Sequence, residues 1–469
     1  MRIFSEFWIK TKGLILLLVL SIIVTILITP ISWNAYDVNF FIEWVDVAEQ
    51  YGLLNIYRYC SKVAYPPLPI LIWIPMYKVG ASISNILYGY INYSILRITT
   101  KIPIILFIYG TAYLIYRYFG RKPLGYFLLY YGIYAIIAGY QFDAIAVFGL
   151  LASYIFLVKN RPILTGISYS LALLTKHALA VVFPYLLIVY WRRTGLKATI
   201  KFMLTTILIC LIIILPFFMS DPSSFLSKVL IFHSQRYPQL LSIYAIPLYI
   251  VHYNYWLLPS FITWIWIIPC ITIYLILLLL LSTSRCNRDC ILLGYTSLII
   301  TMILLNKVGN TNYQLWYVPF LAIFVSKYNS KFMKTLYIIL PIITIVLHDF
   351  MTLYSAAVVQ GQYFITEDLR YYDAEDLVLQ SFKDAPIYGD IKLPLLISRT
   401  YFYNLHLIFY ENIWLTRLLL TIAYLSSLGY FQYKILKELK NKCGPNIELL
   451  KRFVKKPLIN RISNIMFTN

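Results

Sequence analysis

The chain has 469 residues, of which 61% are hydrophobic and only 13% charged, and its formal net charge is +21. That composition excludes a soluble domain, because apolar runs of the roughly 20 residues that a bilayer span needs recur along most of the length. The positive charge is no nucleic-acid footprint: the lysines and arginines sit at the ends of apolar runs and in the C-terminal stretch, where they set topology and meet anionic lipid.

The expected class is an all-α polytopic membrane protein with roughly 11–13 transmembrane segments. A β-barrel would show short alternating segments instead. Arg2, Lys10 and Lys12 favour a cytoplasmic N-terminus. The first apolar run, 14–31, is long enough to remain as a span rather than be cleaved as a signal, so the loop after it is expected outside.

That loop organises the rest of the chain. It carries Asp37, Asn39, Glu43, Asp46 and Glu49, then Asn55-Ile56-Tyr57 and Tyr65-Pro66-Pro67-Leu68. Residues 40–51 alternate apolar and acidic positions in the way of a helix lying on the membrane surface. Tyr65-Pro66-Pro67 closes one element and opens the next, since proline suits a first helical turn and not an interior. Further apolar runs are expected at 102–118, 124–140, 144–158, 163–190, 200–219, 257–281, 291–305, 315–325, 332–347 and 413–433.

Charge places the tail 434–469 in the cytoplasm and the acidic stretch 361–402 outside. The front half allows two topologies. If every run crosses once, Gln141-Phe142-Asp143 is cytoplasmic. If the runs 65–97 and 163–190 each contain a break, the second near Lys176-His177, as helices break at polar cavities, Asp143 faces out. The six cysteines, Cys60, Cys210, Cys270, Cys286, Cys290 and Cys443, lie in or beside spans, so no disulfide framework is expected.

Four stretches can carry chemistry. Asp37-Val38-Asn39 offers a carboxylate at the membrane boundary, able to take a proton from an attacking hydroxyl; the same residues equally suit a helix N-cap. Gln141-Phe142-Asp143 puts an acid and an amide between apolar runs, where an ionisable group costs enough to suggest a function, although a solvated turn would also hold them. Thr175-Lys176-His177, with His233 and Arg236, supplies the cations a lipid-linked phosphate requires, against snorkelling and loop solvation as the plain alternatives. The fourth, residues 306–316, gathers Lys307, Asn310, Asn312, Gln314 and Trp316; an aromatic belt explains its rings but not its amides.

Taken in order, the acidic motif after span one, Asn55-Ile56-Tyr57, Tyr65-Pro66-Pro67-Leu68, Gln141-Phe142-Asp143, Leu173-Leu174-Thr175-Lys176, Pro184 and Asn306-Lys307-Val308 with Gln314 and Trp316 resemble the GT-C glycosyltransferases. Within them the likeness is greatest to the catalytic subunit of GPI mannosyltransferase I. Residue 39 departs from that family's pattern of two aspartates, which leaves Asp37 as heir to the catalytic acid. The resemblance implies a GT-C-like module over 1–330, further spans over 331–433, and inverting transfer of mannose or glucose from a dolichyl- or polyprenyl-phosphate donor. The acceptor would be a lipid-linked glycan, a glycolipid or a protein. Chemistry would occur on the extracytoplasmic face of a plasma or ER-type membrane.

On that resemblance Asp37 is the base. Arg236, His233 and Lys176 hold the donor phosphate, and Asn39, Asp46, Tyr65, Gln141, Asp143, Lys307, Gln314 and Trp316 meet sugar or acceptor. No cofactor is implied, a divalent metal is left open, and the partners are membrane lipid, the donor and the acceptor, with no nucleic acid. A transporter or flippase of lipid-linked sugars and a non-catalytic membrane subunit are the other readings. Many tyrosines and few acids suit an archaeal source.

Overall fold

A computed structural model describes residues 11–444 apart from 33–34, 253, 255–256, 329, 353–354, 356–357 and 360–386. The expected acidic stretch up to residue 386 and the tail beyond 444 lie outside the described residues. Within them the protein is all-α, with one two-residue strand pair.

The chain opens with α1 (Thr11–Ile28) and α2 (Ala35–Tyr51), followed by a short helical segment over 53–59 and an irregular stretch that ends at Tyr65-Pro66. α3 (Pro67–Tyr88) starts on Pro67 as the proline pair requires, and a turn leads into α4 (Tyr93–Phe119), capped by the Asn92 side chain. α5 (Arg121–Leu129) and α6 (Gly132–Ala138) divide what the sequence reads as one run, 124–140. α7 (Asp143–Val158) and α8 (Pro162–Thr175) come next, then a 3-10 turn over His177–Val182, α9 (Phe183–Thr194) and α10 (Leu196–Ser220).

β1 (Gln239–Leu240) pairs in parallel with β2 (Val308–Gly309), with α11 (Ile267–Thr283) and α12 (Arg288–Leu304) between them. α13 (Gln314–Lys327), α14 (Lys331–Pro341), α15 (Ile387–Glu411) and α16 (Ile413–Cys443) complete the described chain. The last apolar run and the first ten residues of the basic tail form one helix, α16.

Among the described residues, six stretches are long and apolar enough to cross a membrane: α3, α4, α10, Ser260–Thr283, Lys331–His348 and α16. Lys12–Ile28, α7 and α8 are shorter apolar helices. The run 163–190 does not form one continuous helix. The break at Lys176 is explicit: α8 stops at Thr175, Lys176 is extended at φ −139°, ψ 96°, and Pro184 restarts the helix in the first turn of α9.

One sequence expectation fails in the fold. Cys290, at the start of α12, and Cys443, at the end of α16, form a disulfide with Cα atoms 5.6 Å apart. Their separation of 153 residues hides the pairing from any local reading; packing of α12 on α16 brings the two helix ends together.

Candidate active site

α2 begins five residues earlier than the acidic–apolar pattern suggests, so Asp37 sits in its first helical turn and not before it. A carboxylate suits that position, where the helix dipole is positive. Successive residues of a helix turn by about 100°, which puts Asp37, Phe40, Phe41 and Trp44 on one face. These four line a cavity of about 780 Å³, a size suited to a small-molecule site. Val38, Phe41, Trp44 and Val45 are buried, so the protein itself covers the apolar face of this helix.

The same geometry turns two expected site residues away. Asn39 and Asp46 stand about 200° and 180° around the helix from Asp37. Neither lines the cavity, and Asp46 is exposed. Partial burial and its neighbours Glu49 and Glu43 raise the Asp46 carboxyl above its usual range.

The loop after α2 is pinned to α2 and to itself. Glu43 accepts hydrogen bonds from the Ser61 N–H at 2.6 Å and the Ser61 hydroxyl at 2.7 Å. Trp44 donates to the Lys62 carbonyl at 3.2 Å, and Tyr57 donates to the Tyr65 carbonyl at 2.7 Å. Lys62 and Tyr65 therefore face the cavity.

Between α6 and α7 the backbone turns sharply at Tyr140, whose φ of 55° is unusual for an aromatic residue. Its hydroxyl donates to the Thr100 carbonyl at 2.5 Å and its ring packs edge-on against Trp73 at 4.5 Å, which holds the turn. The turn aims Gln141 into the cavity. Gln141 Nε2 donates to Asp37 Oδ2 at 2.8 Å, and Gln141 Oε1 accepts from Asn312 Nδ2 at 2.8 Å.

Asp143 lies behind this pair, fully buried and outside the cavity lining. It accepts from Asn312 at 2.9 Å and from Trp316 Nε1 at 2.6 Å, and pairs with the Lys176 ammonium at 3.3 Å. Lys176 also lies over the Tyr65 ring at 4.7 Å. The expected roles of Asp143 in sugar binding and Lys176 in phosphate binding thus meet a different arrangement: acid and cation neutralise one another. Gln314 is displaced too. As the first residue of α13 it points away from the cavity and accepts from the buried Tyr130 hydroxyl.

The opposite wall is built by the strand pair. Gln239 N–H donates to the Lys307 carbonyl at 3.0 Å and Leu241 N–H to the Gly309 carbonyl at 3.1 Å. Position 309 must be glycine, because a Cβ there would stand 2.3 Å from the Leu241 backbone. This pairing sets the Arg236 loop beside the Lys307 loop. Lys307 is buried, donates to the Ser234 and Thr263 carbonyls at 2.5 and 3.4 Å, and lies 5.9 and 5.7 Å from the Trp264 and Trp266 rings. Burial, with Arg236 nearby, pushes its ammonium down to about 8.

His233 lies 4.9 Å from His177, ring to ring, and its Nε2 is 3.0 Å from the Ala64 carbonyl. Burial above all, then His177 and Arg236, holds it well below the usual histidine range, so it is neutral. A carbonyl only accepts, so Nε2 carries the proton and Nδ1 is left as an acceptor.

Asp37, Tyr65, Gln141, Lys176, His233, Arg236, Lys307 and Trp316 therefore share one cavity, while Asn39, Asp46, Asp143 and Gln314 do not line it. Sequence reasoning gave no role to Asn312 or to Arg417, which reaches the cavity from α16. A lone arginine inside the run 413–433 was the available signal for the second. Asn312 stood among the amides of the fourth stretch, with nothing local to single it out.

No curated protein matches the chain. Among solved structures, the crystal structure of ArnT from Cupriavidus metallidurans bound to undecaprenyl phosphate is similar at 13% identity and a TM-score of 0.46, covering 92% of this chain and 81% of that one. A family model described as ALG3 protein matches residues 13–237. The match runs from α1 to just past Arg236 and includes Asp37, Gln141, Asp143, Lys176 and His233. That family differs from the GPI mannosyltransferase I subunit that the motifs resemble. Over residues 13–237 the chain is similar to the ALG3 protein family.

Proposed function

We propose that this enzyme transfers mannose, with inversion, from a dolichyl- or polyprenyl-phosphate donor to a lipid-linked glycan, glycolipid or protein hydroxyl on the extracytoplasmic face of its membrane. The carrying observation is that Asp37 and the cations Arg236 and Lys307 line one cavity. Mannose is favoured over glucose by the ALG3 match over residues 13–237.

In this reading the acceptor oxygen attacks the anomeric carbon of the donor while Asp37 takes the hydroxyl proton. The bond from that carbon to the phosphate oxygen breaks, and the lipid phosphate leaves with the electron pair. Its growing charge is met by cations. Lys176 is paired with Asp143 and His233 is neutral, while Arg236 and Lys307 line the cavity together and hold the phosphate. Tyr65 and the stacked pair Tyr313 and Trp316, with ring centroids 4.2 Å apart, supply surfaces for a sugar ring.

The test is transfer by the purified protein in lipid vesicles, from polyprenyl-phosphate mannose and, in parallel, polyprenyl-phosphate glucose carrying labelled sugar. Label should appear in a glycosylated acceptor from the mannose donor. Label crossing the bilayer still attached to its lipid phosphate would support a flippase instead.

A further inference from the structure

Asp37, Gln141, Asn312 and Asp143 form one hydrogen-bonded line whose polarity can be read without ambiguity. The Asp143 carboxylate can only accept, and it receives Asn312 Nδ2 at 2.9 Å, which fixes the orientation of the Asn312 amide. The same nitrogen donates to Gln141 Oε1 at 2.8 Å. Gln141 must then present its NH₂ to Asp37 Oδ2, as it does at 2.8 Å. Were the Gln141 amide turned over, its oxygen would face the Asp37 carboxylate and its NH₂ would face the Asn312 NH₂, losing both bonds. The fully buried Asp143 thus orients the amide that touches Asp37, the acid lining the cavity. Trp316 and Lys176, both bonded to Asp143, hold the far end of the line still.

We infer that Asn312 is a positioning residue for the transfer reaction: it fixes the Gln141 amide so that Gln141 holds the Asp37 carboxylate in the geometry of a base. The inference rests on Asp37 being that base. Asn312 does not itself line up with the reacting atoms through any charge, so its loss acts on the placement of Asp37. Misplacing a catalytic group by about 1 Å can cost on the order of 100-fold in rate.

The experiment compares the full-length protein with Asn312→Ala, Asp37→Asn and the double variant, in vesicles with saturating acceptor, reading kcat and donor KM. Asn312→Ala should lower kcat about 10- to 100-fold and leave donor KM within about twofold, since the phosphate is held elsewhere. In the Asp37→Asn background the same change should alter kcat by less than about threefold, because the base it positions is already gone. Equal losses in both backgrounds mean a general structural role and overturn the inference. So does an unchanged kcat in Asn312→Ala alongside a disabled Asp37→Asn, which leaves Asp37 standing as base. Near-normal turnover in Asp37→Asn overturns both. If Asn312→Ala does not fold, Gln141→Ala takes its place in the same four-way comparison, with the same outcomes deciding.

Discussion

Gln141 Nε2 lies 2.8 Å from Asp37 Oδ2, although 104 residues separate them. An amide N–H at that distance favours the ionised carboxylate and fixes its direction, yet leaves its charge in place. A base needs that combination. The contact also ties the first turn of α2 to the turn between α6 and α7, so the cavity and its acid are assembled together.

The state of Lys307 sets a pH limit. Its ammonium, pushed down to about 8 by burial and by Arg236, is charged below that value and neutral above it. Donor affinity of the wild type should therefore fall as pH rises through about 8. Lys307→Arg should move that limit well above the measured range, since guanidinium keeps its proton. Lys307→Met should weaken donor binding about 10- to 100-fold at pH 7, the loss of one charge-assisted bond. Folding moves the other way. Between pH 8 and the ordinary lysine value the unfolded chain binds more protons, so this group adds stability as pH rises. Binding isotherms and thermal melts across pH 7–10 should show the opposite slopes.

The ion pair of Lys176 with Asp143 predicts a pattern among variants. Lys176→Met leaves a fully buried carboxylate without its cation and should cost about 3–5 kcal/mol. Asp143→Asn strands the ammonium in the same way. The double variant removes both charges and should be more stable than Lys176→Met alone. Melting temperatures in detergent, followed by intrinsic fluorescence, decide this; a double variant no better than the singles would contradict the pairing.

Cys290 and Cys443 close a loop of 153 residues between α12 and α16. Peptide mass mapping without reductant should recover them linked. Reduction, or Cys443→Ser, should lower the melting temperature, by up to about 5 kcal/mol of stability on the loop-entropy view. Neither cysteine lines the cavity, so donor binding should survive at temperatures where the protein stays folded.

Much of this was open to reading from the sequence because it is local. Tyr65-Pro66-Pro67 starts α3 where proline rules place a start, and Lys176-His177 breaks an apolar run where a polar cavity lies. The helical period of α2 could also have ruled out Asn39 and Asp46, which lie on the wrong side of Asp37. Other features depend on packing between distant elements. Nothing near Asp143 says that it is sealed behind Gln141, or that Asn312, 169 residues away, would bond to it. Gln314 is adjacent to Tyr313, yet Tyr313 lines the cavity and Gln314 does not. The cysteine pair, at its separation, left no local trace at all.

The most direct test of the account is the turnover of Asp37→Asn at saturating donor and acceptor. Asparagine keeps the shape and can still bond to Gln141, but it cannot accept the proton. kcat should fall about 10²- to 10⁴-fold, with donor affinity measured separately close to wild type. Turnover within a few-fold of wild type would contradict it, and would leave Asp37 as a helix-terminal acid with no part in the chemistry.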